Sequence, residues 1–164
     1  MAETDNHAIA EVLEVIREEE IRVCLFSIGE DYYAIPVSML TEIIIQQKIF
    51  PVPTTPQHVL GVINLRGSIV PIVDIRPVLS LPRQSLQGQI AIIKHGNVTL
   101  GIVVDNVSEV IVVPESRLLG IPSETSTQKA GKGRSWFLKG IIQRDHGVAA
   151  LLDVEKIIDA IKLA

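Results

Sequence analysis

The chain has 164 residues, a formal net charge of −4 at pH 7, and 47% hydrophobic but only 4% aromatic residues. That content suits one ordinary domain or two very small ones sharing a core, and the scattered cations and scarce aromatics argue against a nucleic-acid or anionic-membrane surface. The single cysteine excludes an internal disulfide, and Cys24, set in the run VCLF, is expected to pack as a small hydrophobe in a reducing cytoplasm.

In chain order, the first segment, MAETDNHAIAEVLEVIREEE, is acidic and lacks a secretory pattern. Ile9, Val12, Leu13 and Ile16 recur at helical spacing and predict a short amphipathic helix over 7–19, within an N-terminal extension of residues 1–20. From Val23 the pattern changes to short Val/Ile-rich segments punctuated by Gly, Pro and Asp. It predicts ten strands, at 22–28, 32–37, 41–46, 60–66, 69–75, 89–95, 98–104, 108–113, 137–143 and 147–152. Pro71 lies inside one of them, which implies an edge strand or a bulge there. No apolar run approaches the roughly 20 residues of a membrane helix. The polar stretch 122–135, PSETSTQKAGKGRS, reads as a surface loop. At the end, Val154, Ile157, Ile158 and Ile161 share one helical face behind Asp153, predicting a capped C-terminal helix over 154–164.

The strands repeat. VCLFSIGEDYYAIPVSMLTEIII (23–45) aligns without a gap on IAIIKHGNVTLGIVVDNVSEVIV (90–112), an offset of 67 residues that pairs Gly29 with Gly96, Leu40 with Val107 and Glu42 with Glu109. GVINLRGSIVPIVDIRPVL (61–79) aligns on GIIQRDHGVAALLDVEKII (140–158) at an offset of 79, pairing Gly61 with Gly140 and Asp74 with Asp153. A repeat of this length, with five strands per copy, points to two small five-stranded barrels in tandem, one over about 21–86 and the other over about 87–153. Closure removes exposed strand edges, and packing the barrels together supplies the core that neither has alone.

Gly67-Ser68 reads as a two-residue hairpin turn with Gly first, placing Arg66 at its shoulder. Glu42, the one acid in LTEIIIQ, is its candidate partner; two independently solvated charges are the alternative reading. In the second copy Arg66 falls opposite Asp145, so the arginine is not part of the repeat itself.

Nothing in the sequence has the pattern of an enzyme, a metal site or a cofactor site. His7, His58, His95 and His146 fall in separate segments without metal-ligand spacing. The segment around AGKGRS has Ser126 and Gly133 where a phosphate-binding loop needs Gly and Ser or Thr. Asp74, Asp105 and Asp153 follow apolar segments, and the repeat explains Asp74 and Asp153 as strand-end caps.

The segments FSIGEDYYAIPVSMLTEI, VPTTPQHVLGVINLRGSIVPIVDIR, GIVVDNVSEVI and FLKGIIQRDHGVAALLDVEKII, in this order, resemble the CheW family of bacterial chemotaxis adaptors from about Val23 to Ile158. The resemblance implies a mainly β fold of two SH3-like barrels and a non-catalytic scaffold. In the family, such a scaffold couples a CheA-type histidine kinase to the cytoplasmic tips of methyl-accepting chemoreceptors. It also implies a monomer in the cytoplasm, recruited to membrane-associated receptor arrays. Residue by residue, it makes Val37, Leu40, Ile43 and Val107 the lining of a receptor groove between the barrels. Ile44, Ile45, Gly61 and Ile63 become the kinase-docking region, and Glu42 with Arg66 the charged pair that influences both. Adaptors of pilus-motility or developmental systems, and other SH3-like protein-binding modules, are the alternatives.

Overall fold

Runs of Val and Ile favour extended backbone, because branching at Cβ restricts the side chain and packs well on a pleated surface. In the computed structural model, which describes residues 6–9, 19–77, 79, 81–82, 88–121 and 137–162, these runs form eleven strands and a C-terminal helix. The first copy supplies β1 (Glu20–Ile28), β2 (Asp31–Pro36), β3 (Leu40–Ile45), β4 (Val59–Leu65) and β5 (Ser68–Val73). The second supplies β6 (Gln89–His95), β7 (Val98–Val104), β8 (Asn106–Pro114), β9 (Leu118–Leu119), β10 (Leu138–Arg144) and β11 (Gly147–Leu152), followed by α1 (Val154–Lys162). The ten expected strands are all present, and the two-residue β9 is an addition. Of the expected N-terminal helix, residues 6–9 are helical; most of it, and the 122–135 loop, lie outside the described residues.

The sheets do not follow the order of the copies. One runs β8-β1-β2-β11-β10-β9 and the other β3-β6-β7-β5-β4. Each barrel is therefore completed by a hairpin from the other copy, and the expected boundary between residues 86 and 87 is replaced by an exchange. One barrel is the continuous stretch 40–104, and the other combines 20–36 with 106–152.

The exchange is symmetric to the residue. Leu40 pairs with Ile93 and Glu42 with Ile92 across β3 and β6, while the repeat equivalents Val107 and Glu109 pair with Phe26 and Leu25 across β8 and β1. The same bulge interrupts both ladders. Parallel pairing of β5 with β7 is matched by that of β11 with β2.

Three apolar cores result. Val23, Leu25, Ala34, Ile142, Ala149 and Leu151 fill one barrel, and Ile63, Val70, Ile72, Ile90, Ile92 and Val103 fill the other. The third lies between them, where Phe26, Tyr33, Ile35, Val73, Ile93, Leu100 and Ile102 meet the buried face of α1, Val154, Ile157 and Ile158. This arrangement explains the near-continuous apolar strands: β1 gives Val23 and Leu25 to its own barrel and Phe26 and Ile28 to the shared core. Asp153 caps α1 as expected, its Oδ1 accepting the Lys156 N–H at 3.2 Å. Cys24 is buried and free.

Pro71 does not sit on an edge strand, since β5 lies between β4 and β7. It needs no N–H there. Its antiparallel partner Val62 turns both backbone polar groups the other way, exchanging hydrogen bonds of 2.8 and 2.9 Å with Phe50, and the ladder to β7 starts only at Ile72. That Phe50–Val62 bridge brings the Phe50 carbonyl against Gly61, whose φ is +147° and whose absent Cβ would stand 2.1 Å from the oxygen. At the equivalent Gly140 a Cβ would stand 2.9 Å from the Leu119 carbonyl oxygen, still tight but less so, because β9 is the second copy's version of the Phe50 bridge.

Gly61→Ala is expected to cost more stability than Gly140→Ala, by about 1–3 kcal/mol for the strained backbone alone, as read from urea midpoints. His58 is placed just before β4, its carbonyl accepting the Asp74 N–H at 2.8 Å and its Nε2 buried with no hydrogen-bond partner among the described residues. Burial holds its pKa below the usual histidine value. The unfolded chain then binds the proton more readily than the folded one, so stability falls as pH drops below about 6.5 and levels off below the folded pKa. Thermal midpoints measured across that window should lose this slope in His58→Gln.

Candidate functional site

The hairpin carrying Arg66 turns one residue earlier than the Gly-first reading predicts. β4 ends at Leu65 and β5 starts at Ser68, so Arg66 (φ 50°) and Gly67 (φ 87°) form the loop. Two positive φ values are the signature of a type I′ turn, whose twist matches that of the strands. Asn64 supports it, its Oδ1 accepting the Gly67 N–H at 2.8 Å. The left-handed conformation aims the arginine across the barrel mouth at β3, where its guanidinium forms a two-pronged ion pair with Glu42. The pair is real but wet, with Arg66 71% and Glu42 27% exposed. Hydrogen bonding and charge attraction from Glu42 push the Arg66 pKa up from an already high value, so the cation is permanent.

The second copy has the same device in altered form. Glu109, equivalent to Glu42, is met by Arg144 at 3.7 Å, one position before the residue that aligns with Arg66. Arg144 also lies over the Tyr32 ring, 4.9 Å from its centroid, and Asp145, the aligned residue, pairs with Arg117 at 3.3 Å. The charge therefore does recur in space, and alignment hides it because the turn is built differently.

The bulge in β3 decides which side chains share a face. It places Leu40, Ile43 and Ile45 on one face, paired with Ile93, Ala91 and Gln89. Leu40 packs at the margin of the shared core, Ile43 is exposed, and Ile45 is 83% exposed. Val107 occupies the equivalent margin on β8, so the structure brings Leu40 and Val107 to the edge of one shared core, with half-buried Val37 in the turn before β3. Ile44 points the other way, packing against the barrel interior. Ile63 is wholly buried there, and Gly61 is buried beneath Phe50. Ile63 thus fills a core, Gly61 admits a backbone and Ile44 anchors β3, which leaves Ile45 as the exposed side chain among the four positions expected for the kinase.

Residues that sequence reasoning passed over supply exposed apolar surface instead. Beyond Ile45 the chain exposes Phe50, with Lys48 Nζ 5.1 Å from its ring centroid, and Val52. On β8 the exposed Val110, Val112 and, from β9, Leu119 are the repeat counterparts of Ile43, Ile45 and Phe50. The offset of 67 carries Ile43 to Val110 and Ile45 to Val112, so the signal was in the repeat itself.

Asp74 is more than a cap. Its Oδ1 accepts the Arg76 backbone N–H at 3.0 Å and lies 3.4 Å from the Arg76 guanidinium, with both side chains buried, while the other end of that guanidinium pairs with Asp105. Among the described residues no group of His, Cys, Asp and Glu is arranged to hold a metal ion, and no helix is long and apolar enough to cross a membrane.

The CheW-like domain model matches residues 22–162. The chain is 32% identical over 145 residues to the chemotaxis protein CheW of Thermotoga maritima, covering 87% of this chain and 91% of that one. It is 25% identical over 154 residues to the CheW of Treponema pallidum, covering 90% and 88%. The crystal structure of the scaffolding protein TtCheW from Thermoanaerobacter tengcongensis superposes with a TM-score of 0.71 at 26% identity, over 82% of this chain and 90% of that one.

Because Arg144 is partly shielded and stacked whereas Arg66 stands in solvent, Arg144→Ala is expected to lower the urea midpoint more than Arg66→Ala. Added salt should shrink the Arg66 effect further.

Proposed function

The chain belongs to the CheW-like family, whose members are non-catalytic scaffolds, and from that premise we propose that this chemotaxis coupling protein joins a CheA-type kinase to chemoreceptor tips without itself doing chemistry. The observation that carries the reading is the extent of its apolar surface. A coupling protein must offer at least two places that can be occupied together. Here Leu40 and Val107, at the margin of the shared core, lie at one end of an apolar face that continues through Ile43 to the exposed Ile45, Phe50 and Val52 at the other; in this reading the first end, with Val37, takes the receptor and the second the kinase.

The first end suits the apolar stripe of an amphipathic helix, which is the chemistry of a receptor hairpin tip. The barrel end suits a flat partner such as the kinase's own related barrel. The Glu42–Arg66 pair lies on the other face of β3 from Ile43, at the mouth of the barrel, and in this reading gives a partner a charged rim to register against. Recruitment through these contacts is, in this reading, what brings the protein to membrane-associated arrays.

The test is co-sedimentation of a CheA-type kinase with receptor-bearing membranes. Wild-type protein is expected to raise the pelleted kinase, and no rise with any cognate pair would sink the reading. Leu40→Asp should weaken the receptor arm and Ile45→Asp the kinase arm, each by about 1–2 kcal/mol or roughly five- to thirtyfold in Kd. Arg66→Ala should weaken binding while leaving the unfolding midpoint nearly unchanged.

A further inference from the structure

The copies meet at two junctions that the repeat makes equivalent but whose chemistry differs. In one, Arg76 is 2% exposed and bridges Asp74, at the end of β5, to Asp105, between β7 and β8. The second Asp105 oxygen accepts the Gly29 N–H at 2.6 Å, and the Asp105 N–H donates to the Ser27 carbonyl at 2.9 Å, so the link extends to the β1–β2 turn of the other sheet. In the other junction the residue equivalent to Arg76 is Glu155 on α1. It is 66% exposed and lies 3.4 Å from His95, which carries charge only when protonated.

Asp105 is the single residue by which the chain leaves one sheet and enters the other. Two residues on is Val107, whose N–H donates to the Gln89 side-chain oxygen at 3.0 Å. The crossover is thus held on both sides of the groove residue. At the equivalent crossover, Val37–Met39, the position of Asp105 is taken by exposed Ser38.

We propose that Arg76 is a positioning residue for the inter-barrel groove: acting through Asp105, it holds the β7–β8 crossover so that Val107 stays in register with Leu40. A guanidinium fits this task because it is always charged and its planar fork reaches carboxylates from two directions, whereas an ammonium is a point charge on a flexible stem. Being buried, it leaves neither carboxylate readily, since an unpaired buried charge is costly. The groove is thereby fixed at the Val107 side and freer at the Ser38 side. The binding part of the inference rests on the receptor reading given above; the geometric part does not.

The experiment uses the full chain with Cys24→Ala and spin labels at Gln47→Cys and Lys139→Cys, one in each barrel, to measure the distribution of distances between barrels. Asp105→Asn preserves shape and an acceptor for Gly29 but removes the charge that Arg76 holds. It is expected to broaden the distribution, with Arg76→Lys intermediate. The same variants are titrated with a receptor-tip fragment and, separately, with the kinase's related domain. Affinity for the receptor fragment should fall about tenfold and be partly retained in Arg76→Lys, with kinase binding at the Ile45 end unchanged. An unchanged distribution in folded Asp105→Asn overturns the inference. So does a parallel fall of both affinities in proportion to lost stability, which a purely structural role predicts. If wild-type protein binds no receptor fragment, the receptor reading fails, and the distance distribution alone decides the positioning role.

Discussion

The antiparallel ladders from β1 to β8 and from β3 to β6 tie each copy of the repeat to the other. Neither copy closes a barrel with its own strands, so each barrel is shared between the copies. Three apolar cores follow from that arrangement. The chain crosses between sheets twice, at Val37–Met39 and at Asp105, and each crossing delivers an apolar residue, Leu40 or Val107, to the rim of the shared core. Repeat equivalents at matching places on the rim of one core are what a pseudo-twofold exchange produces.

Symmetry also accounts for what the two barrel ends have in common. Each carries a glutamate on the strand after the crossing, an arginine from the facing hairpin and a row of exposed aliphatic residues. What differs is solvent access. Arg66 reaches Glu42 from a left-handed turn position into water, whereas Arg144 reaches Glu109 from a strand and rests on Tyr32. One pair is available to a partner, and the other is partly engaged with its own barrel.

Much of this was legible in the sequence for physical reasons. Val/Ile runs broken by Gly and Asp mark strands because both signals are local, and Asp153 before Val154 marks a helix start for the same reason. The matching bulges at Leu40/Glu42 and Leu25/Phe26 show how faithfully the repeat is kept. The exchange of hairpins was not legible, because swapped and unswapped pairings use the same strands with the same inward-facing residues. Burial of Arg76 was hidden because its second carboxylate, Asp105, lies 29 residues away. Ile63 and Ile44 looked like surface through the family resemblance alone, since a run of isoleucines does not reveal which side faces the interior. Recurrence of the ion pair was missed because Arg144 stands on the last strand position, aligned with Leu65, one residue before the turn position that Arg66 occupies, and still reaches the equivalent glutamate.

The exchange has a consequence for the order in which the protein can be made. During synthesis, the barrel of residues 40–104 has all its strands before β8 appears. The first hairpin does not, because Glu20–Ile28 waits for Asn106–Pro114. Until then Val23 and Leu25 have no interior to enter and the free edge of β1 is open to any strand nearby, so the earliest part of the nascent chain is the last to be secured. Substitutions that slow the arrival or pairing of β8 should therefore show themselves as lost yield in the cell before they show as lost stability in the finished molecule.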